Sequence, residues 1–126
     1  MMMEKHRILC IEDDPDTCEM LTIALQPAGY EVISAHTATD ALSKASMEDF
    51  AALLLDTNLP DISGIELCRQ IRTFNNETPI IFYSGEARPE MIEEAMKAGA
   101  QAYLKKPIDP FEVGETIAGF INNTET

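Results

Sequence analysis

The chain has 126 residues, of which 45% are hydrophobic, so it is large and apolar enough to fold around one core. Its 22 acidic and 9 basic residues give a net charge of −13, which argues against a surface for nucleic acid or for anionic membranes. The longest apolar run, residues 50–55, is far too short to cross a bilayer. Because charged residues follow the opening methionines directly, we expect no signal peptide. The length fits a single domain over residues 1–126, and we expect a cytoplasmic location.

Five short apolar runs predict five strands. They cover residues 7–11, 30–35, 51–55, 79–83 and 102–104. Runs of this length, bounded by turn residues, suit strands that are covered on both faces. Amphipathic segments separate the runs. This alternation predicts an α/β domain with a parallel sheet between layers of helices.

Helix-start and helix-end signals lie between these runs. Starts are predicted at Asp14-Pro15, at Thr37 with Asp40, at Ser63 with Glu66, at Pro89 and at Asp109-Pro110. The first helix has an apolar stripe of Cys18, Leu21, Leu25 and Ala28. The last helix bears Phe111, Ile117, Phe120 and Ile121. We expect Gly29 and Gly99 to end the first and fourth helices, and a polar, frayed tail from about residue 122.

Polar residues follow four of the predicted strands. Glu12 and Asp13 follow the first strand, Asp56 the third, Ser84 the fourth and Lys106 the fifth. Because the carboxyl ends of parallel strands share one edge of a sheet, we expect these side chains to meet. Clustered carboxylates repel each other unless a cation lies between them, and hard oxygen ligands suit Mg²⁺. A metal beside a carboxylate, an amine and a hydroxyl indicates phosphoryl transfer.

In these residues the chain resembles the receiver domain of two-component response regulators, and the resemblance covers essentially all 126 positions. Its marks are Glu12-Asp13, the run 56–60 with Gly64 beyond it, Ser84, and Lys106-Pro107. It implies a flavodoxin-like (βα)5 sandwich with strand order 2-1-3-4-5. Two details depart from the commonest pattern of the family. Gly85 follows Ser84 where Ala is more usual, and Glu12 replaces a more frequent Asp.

The resemblance also implies a role for each acidic residue. Asp56 would accept a phosphoryl group from a sensor histidine kinase or a phosphotransfer protein. Asp13 and Asp56 would bind Mg²⁺ together with the backbone carbonyl of Asn58, and Glu12 would act through water. Asn58 and Glu86 stand at positions that influence the lifetime of the phosphoryl group in the family. The protein would catalyse only its own phosphorylation and dephosphorylation, and we do not expect it to be an enzyme acting on another substrate.

By the same resemblance, Lys106 and Ser84 would contact the phosphoryl oxygens, and the Lys106–Pro107 peptide bond would be cis. Tyr103 would turn inward when Ser84 moves. The change would be read on the face formed by the fourth helix, fifth strand and fifth helix, by an output protein or domain or by a second copy. A stand-alone protein and the receiver of a longer regulator or hybrid kinase both fit the sequence.

Parts of the sequence also resemble other kinds of site or module. The run from Asp56 begins like a calcium loop, but Asp61 and Leu67 stand where that loop needs Gly and Glu. An aspartyl-phosphate phosphatase or ATPase needs a cap or substrate domain, for which the length leaves no room. A phosphorylation-independent interaction module on the same fold remains the alternative function. Tyr103 also fits a residue that merely packs in the core.

The three cysteines form no CxxC pair. We expect Cys10, Cys18 and Cys68 to be small, buried, apolar residues in a reducing compartment.

Overall fold

The computed structural model describes the backbone of residues 6–125 and the side chains of residues 6–121. Five strands alternate with five α-helices: β1 His6–Ile11, α1 Pro15–Leu25, β2 Tyr30–Ala35, α2 Ala38–Met47, β3 Ala52–Leu55, α3 Gly64–Arg72, β4 Ile80–Ser84, α4 Pro89–Ala98, β5 Ala102–Lys105 and α5 Pro110–Glu125. All neighbouring strands are parallel, in the order β2-β1-β3-β4-β5. The predicted fold class and strand order are confirmed.

The strand register places the carboxyl ends of the strands at one edge of the sheet. Ile11 at the end of β1 pairs with Leu55 at the end of β3. Backbone hydrogen bonds continue past the strands, because the Asp56 amide donates to the Ile11 carbonyl at 3.0 Å and the Lys106 amide donates to the Ser84 carbonyl at 2.8 Å. The residues that follow the strands are therefore held side by side.

Two apolar layers cover the sheet. The layer beneath α2, α3 and α4 includes Leu9, Leu53, Leu55, Leu67, Ile71 and Phe82. The layer beneath α1 and α5 includes Ile8, Cys10, Leu54, Ile81, Val113 and Ile117. Because successive side chains of a strand point to opposite faces, β1, β3 and β4 supply both layers. This explains why these strands are continuous apolar runs in the sequence.

Short-range hydrogen bonds explain where three helices begin. The side chains of Asp14, Thr37 and Ser63 each accept a hydrogen bond from a backbone amide in the first turn of α1, α2 and α3. Each bond satisfies an amide that has no partner inside its helix. These predicted helix starts are confirmed.

The end of α1 differs from the prediction. The α-helix ends at Leu25, and a 3₁₀ turn follows over Gln26–Ala28. The α-helix cannot continue because Pro27 has no amide to donate to the preceding turn. Gly29 ends this turn with φ of 92°. The 3₁₀ turn carries Ala28 to the surface, so its predicted place in the buried stripe is wrong.

Helix α5 buries two of the apolar residues named from the sequence, Ile117 and Ile121, and adds Val113. Val113, Ile117 and Ile121, spaced four residues apart, face the core. Phe111 lies off this stripe and is 73% exposed, so it is not a core residue. The helix backbone continues to Glu125, and the tail expected from about residue 122 therefore falls within its last turn.

The carboxyl end of α4 is tied to α3. The guanidinium of Arg72 donates to the Gly99 carbonyl from Nε at 3.1 Å and from Nη2 at 2.8 Å. The Cys68 thiol donates to the Ala98 carbonyl at 3.5 Å. Gly99 has φ of 116°, the left-handed conformation that ends the helix.

Within residues 6–125, no helix is long and apolar enough to span a bilayer.

Candidate functional site

Three carboxyl groups meet at the carboxyl edge of the sheet. One oxygen from each of Glu12, Asp13 and Asp56 lies within 4.8 Å of the other two. Glu12 and Asp56 are buried, whereas Asp13 is exposed. Hard oxygen donors with one side open to water are the ligands that Mg²⁺ prefers. The cluster therefore fits a divalent cation, as the sequence predicted.

Lys106 reaches into this cluster from the end of β5. Its Nζ donates to Glu12 Oε1 in a short hydrogen bond and lies 3.3 Å from Asp56 Oδ2. The Lys106–Pro107 peptide bond is cis, as predicted. The amine thus shares the pocket with Glu12 and Asp56, which lie near each other in space but far apart in the sequence.

Burial and repulsion among these groups change their proton affinities. Burial is the main reason why the pKa of Glu12 is raised to about 7; the negative charge of Asp56 raises it further, and the hydrogen bond from Lys106 opposes both. Burial lowers the pKa of Lys106, but its hydrogen bonds and charge attraction to Glu12 and Asp56 outweigh burial, so this pKa lies above its ordinary value. The pocket holds more negative charge than one lysine neutralises, which favours an added cation.

Ser84 lies at the end of β4 and forms a hydrogen bond that the sequence did not predict. Its Oγ is 2.6 Å from Oγ1 of Thr57, and the residues are 0% and 2% exposed. Ser84 Oγ also accepts from the Glu86 amide at 3.2 Å. Thr57 directly follows Asp56 in the sequence, and this adjacency was the only signal that could have drawn attention to it. The two hydroxyls are hydrogen-bonded to each other beside Asp56.

Glu86 connects the other predicted residues. Asn58 Nδ2 donates to Glu86 Oε1 at 3.1 Å, and the hydroxyl of Tyr103 donates to the Glu86 carbonyl in a short hydrogen bond. The Tyr103 ring stacks on Phe82, with 5.5 Å between centroids and 9° between planes. Tyr103 is therefore linked to Ser84 through Glu86, and its ring is half-buried against the core.

The main chain fixes the position of Asp56. The Asn58 amide donates to Asp56 Oδ1 at 3.2 Å, which orients the carboxylate. Gly64 packs so closely that a Cβ at that position would lie 1.9 Å from the Asp56 carbonyl oxygen. The Gly64 amide donates to the Thr57 carbonyl at 2.8 Å. Only glycine allows this approach of α3 to the end of β3.

Comparison with known proteins identifies the family. The model of the family described as "Response regulator receiver domain" matches residues 8–118. The chain is 35% identical over 120 residues to the transcriptional regulatory protein CrdR of Helicobacter pylori, and 32% identical over 124 residues to ZraR of Salmonella typhimurium. The alignment with CrdR covers 94% of this chain and 56% of CrdR. The alignment with ZraR covers 98% of this chain and 28% of ZraR.

Among solved structures, the CheY-like response regulator receiver domain protein from Methanospirillum hungatei superimposes with a TM-score of 0.92. It is 33% identical, and the alignment covers 96% of this chain and 97% of that one. The chain thus spans about half the length, or less, of the curated relatives it matches, and nearly all of a receiver domain solved by itself. The chain belongs to the response regulator receiver domain family.

Proposed function

We propose that Asp56 accepts a phosphoryl group from the phosphohistidine of a sensor histidine kinase or a phosphotransfer protein. One observation carries the proposal: the Asp56 carboxylate lies beside Lys106 Nζ, 3.3 Å from Oδ2, and beside two further carboxylates. Phosphoryl acceptance by an aspartate is general for the family. We further propose that residues 1–126 form one receiver domain, because residues 6–125 form one five-stranded sheet with its helices.

In the transfer step, an Asp56 carboxylate oxygen attacks phosphorus. The P–N bond to the donor histidine breaks, its electron pair stays on the imidazole nitrogen, and that nitrogen takes up a proton. The Asn58 amide holds Oδ1, and the Lys106 ammonium offsets negative charge on the phosphoryl oxygens. In dephosphorylation, water attacks phosphorus and the carboxylate leaves. The protein therefore acts only on its own acyl phosphate.

We assign Asp13 and Asp56, with the backbone carbonyl of Asn58, to a Mg²⁺ site, and Glu12 to a contact through water. When bound, Mg²⁺ would neutralise charge on the phosphoryl oxygens. The carboxylates hold the cation, and Glu12 also orients Lys106 through their hydrogen bond. Burial raises the pKa of Glu12 most and the negative charge of Asp56 raises it further; a cation beside both carboxylates would relieve the second effect.

The same proposal includes a switch at Ser84. A phosphoryl group on Asp56 presents strong acceptor oxygens. Ser84 would turn its hydroxyl toward them, which breaks its 2.6 Å bond to Thr57 and the bond it accepts from the Glu86 amide. Movement of Glu86 would remove the acceptor of the Tyr103 hydroxyl, and the ring could then turn inward. The shift is one between two populated states, since each of these hydrogen bonds is weak.

We propose that the α4–β5–α5 face reports this switch. Met96 on α4 is 43% exposed and Ile108, before α5, is partly exposed, so the face offers apolar contacts. Phe111 lies instead toward α1, where it lines a groove with Ala24 and Pro27. The curated relatives are transcriptional regulators that are longer than this chain. We therefore propose an output domain or protein as the first partner and a second copy as an alternative, with no nucleic acid contact by the receiver itself. We also propose a cytoplasmic location, because the protein must meet the histidine kinase or phosphotransfer protein that donates the phosphoryl group.

The phosphoacceptor assignment is tested with acetyl phosphate and Mg²⁺. Intact mass spectrometry should show one phosphoryl group on the wild type and on Asp49→Asn, a control at an exposed carboxylate before β3. Asp56→Asn should gain none while it keeps its circular dichroism spectrum. Uptake by Asp56→Asn at the wild-type rate would reject the assignment. No uptake by folded wild type with any donor would favour the phosphorylation-independent interaction module.

The switch is tested with Ser84→Ala. This variant should still take up the phosphoryl group, but the NMR shifts of Tyr103 and α4 should respond less to a phosphoryl mimic than in the wild type. Ser46→Ala, at an exposed position on α2, is the matched control and should respond fully. If the mimic perturbs only the surroundings of Asp56 in the wild type, the proposed route to the α4–β5–α5 face is wrong.

A further inference from the structure

The structure brings together two cysteines that no sequence motif pairs. Cys10 lies near the end of β1 and Cys18 lies in α1, and their Sγ atoms are 3.5 Å apart. The residues are 1% and 3% exposed. A disulfide has its sulfurs about 2.05 Å apart, so closure needs a movement of roughly 1.5 Å. Cys68 provides a contrast, because this equally buried thiol donates to a backbone carbonyl of the α4 end instead.

We propose that Cys10 and Cys18 are a redox modification site that forms a reversible intrachain disulfide on exposure to a hydroperoxide. The Cys18 sulfur attacks the peroxide oxygen and the O–O bond breaks, which gives a sulfenic acid and releases water or an alcohol. The Cys10 sulfur then attacks the Cys18 sulfur, the S–O bond breaks, and the hydroxyl leaves as water with the Cys10 thiol proton. In total, two thiols lose two electrons to one hydroperoxide.

Cys18 is the first thiol to react because of its place in the fold. It lies one residue from the exposed Glu19 on a surface helix, whereas Cys10 lies inside the sheet beneath that helix. Opening of the first turn of α1 would expose Cys18 before Cys10. Since both thiols are closed off in the folded state, the reaction is slow at low peroxide, and the disulfide is transient in a reducing compartment.

The disulfide would act on the acidic cluster, a consequence that rests on the proposed function. Glu12 and Asp13 lie in the short segment between the two cysteines, whereas Asp56 follows β3. The Cys18 thiol donates to the Glu12 carbonyl at 3.8 Å, and the disulfide has no hydrogen with which to do so. Drawing α1 toward β1 therefore moves Glu12 and Asp13 relative to Asp56. We expect oxidation to weaken Mg²⁺ binding by roughly tenfold, as other changes beside metal ligands do.

Disulfide formation is measured on the folded full chain. The protein is treated with hydrogen peroxide, denatured in N-ethylmaleimide and weighed intact. We expect a loss of two hydrogens, one alkylated thiol at Cys68, and full reversal by dithiothreitol. Cleavage after Glu12 separates the cysteines, so a linked pair of peptides identifies the Cys10–Cys18 bond.

Three variants control this measurement. Cys68→Ser should form the same bond. Cys18→Ser should keep both remaining thiols free at the same peroxide dose, whereas Cys10→Ser should form no intrachain disulfide and should leave Cys18 as a sulfenic acid. Three alkylatable thiols in treated wild type, or a bond that involves Cys68, would overturn the proposal.

The effect on the cluster is measured separately in the Cys68→Ser background. Calorimetric titration with Mg²⁺ should show the roughly tenfold loss after oxidation and its recovery after reduction. A bond that forms while Mg²⁺ affinity stays unchanged would reject the coupling to the cluster. If the reduced protein itself fails to bind Mg²⁺, the proposed function is at fault, and the peptide evidence for the disulfide is unaffected.

Discussion

Two neighbouring segments leave the carboxyl edge of the sheet, and they are held in different ways. The segment after β3, residues 56–63, begins with two buried residues and is fixed by the contact of Gly64 with the Asp56 carbonyl. The segment after β4, residues 85–88, is largely exposed. It is held through Glu86, by single hydrogen bonds to Ser84, Asn58 and Tyr103.

The difference separates two tasks. Asp56 and Thr57, at the start of the β3 segment, are buried and lie against Gly64, so this end suits the fixed phosphoacceptor proposed above. The β4 segment can shift when a few hydrogen bonds of about 1 kcal/mol each are exchanged, so it suits a part that responds to the phosphoryl group. Substitutions in each segment should therefore have effects of very different size.

Gly64→Ala should give the largest effect. Its Cβ would lie 1.9 Å from the Asp56 carbonyl oxygen, and the backbone on both sides would have to move. We expect the free energy of unfolding to fall by about 3 kcal/mol or more. Gly85→Ala is the matched control in the β4 segment, since a Cβ there meets nothing within 4 Å, and it should change stability by less than about 0.5 kcal/mol. Urea denaturation measures both, and equal losses would remove the distinction between the segments.

The next largest effect is the dependence of stability on pH that comes from the buried carboxyl group of Glu12. The pKa of Glu12 is raised to about 7 in the folded protein, so the folded state holds this proton more tightly than the unfolded state. Its contribution to stability is present below the ordinary pKa of a glutamic acid and is lost as pH rises through about 7. Metal-free wild type should lose on the order of 2 kcal/mol between about pH 5 and pH 8.

Glu12→Gln should reduce this dependence on pH, because the group that titrates in this range is gone. Glu19→Gln, at an exposed position on α1, should keep the wild-type slope. Chemical denaturation in EDTA at several pH values makes the comparison. An identical slope in wild type and Glu12→Gln would show that another group titrates in this range.

Asp61 in the β3 segment should give a smaller, local effect. Its carboxylate accepts from the amides of Ala38 and Thr39 at 2.8 and 2.9 Å, and these bonds hold its pKa well below the usual range. Asp61→Ala should speed hydrogen exchange at both amides, while Asp49→Ala should leave them unchanged. Unchanged exchange in Asp61→Ala would mean that Thr37 alone holds the start of α2.

The smallest change in stability is expected at Tyr103. Tyr103→Phe removes the hydrogen bond to the Glu86 carbonyl but keeps the stacking on Phe82, so the unfolding free energy should change by less than about 1 kcal/mol. The backbone NMR shifts of residues 85–88 should nevertheless move. Tyr103→Leu, which also loses the stacking, should be the less stable of the two. If Tyr103→Phe leaves residues 85–88 unchanged, their position does not depend on the hydroxyl.

The sequence predicted what depends on neighbours along the chain. Thr37 and Ser63 mark helix starts through hydrogen bonds within one turn, and Pro89 marks one through its fixed φ. Apolar runs mark buried strands. The prediction failed at Ala28, whose helical spacing predicted burial, because Pro27 ends the α-helix before that residue.

Contacts across the fold were harder to predict than helix starts. The bond between Thr57 and Ser84 and the pairing of Cys10 with Cys18 depend on how close the elements pack, which no local pattern records. The residues at the strand ends were an exception, because the parallel sheet itself brings them to one edge.

The anchoring of α4 at one end determines how that helix can move. Arg72 fixes the Gly99 end, whereas the structure shows no side-chain cap at the Pro89 end within the residues it describes. Rotation about a fixed end gives a displacement that grows along the helix. Ten residues span about 15 Å, so a tilt of ~10° would carry Pro89 roughly 3 Å and leave Ala98 nearly still. A probe near Pro89 would therefore detect motion of α4 that a probe near Ala98 would miss.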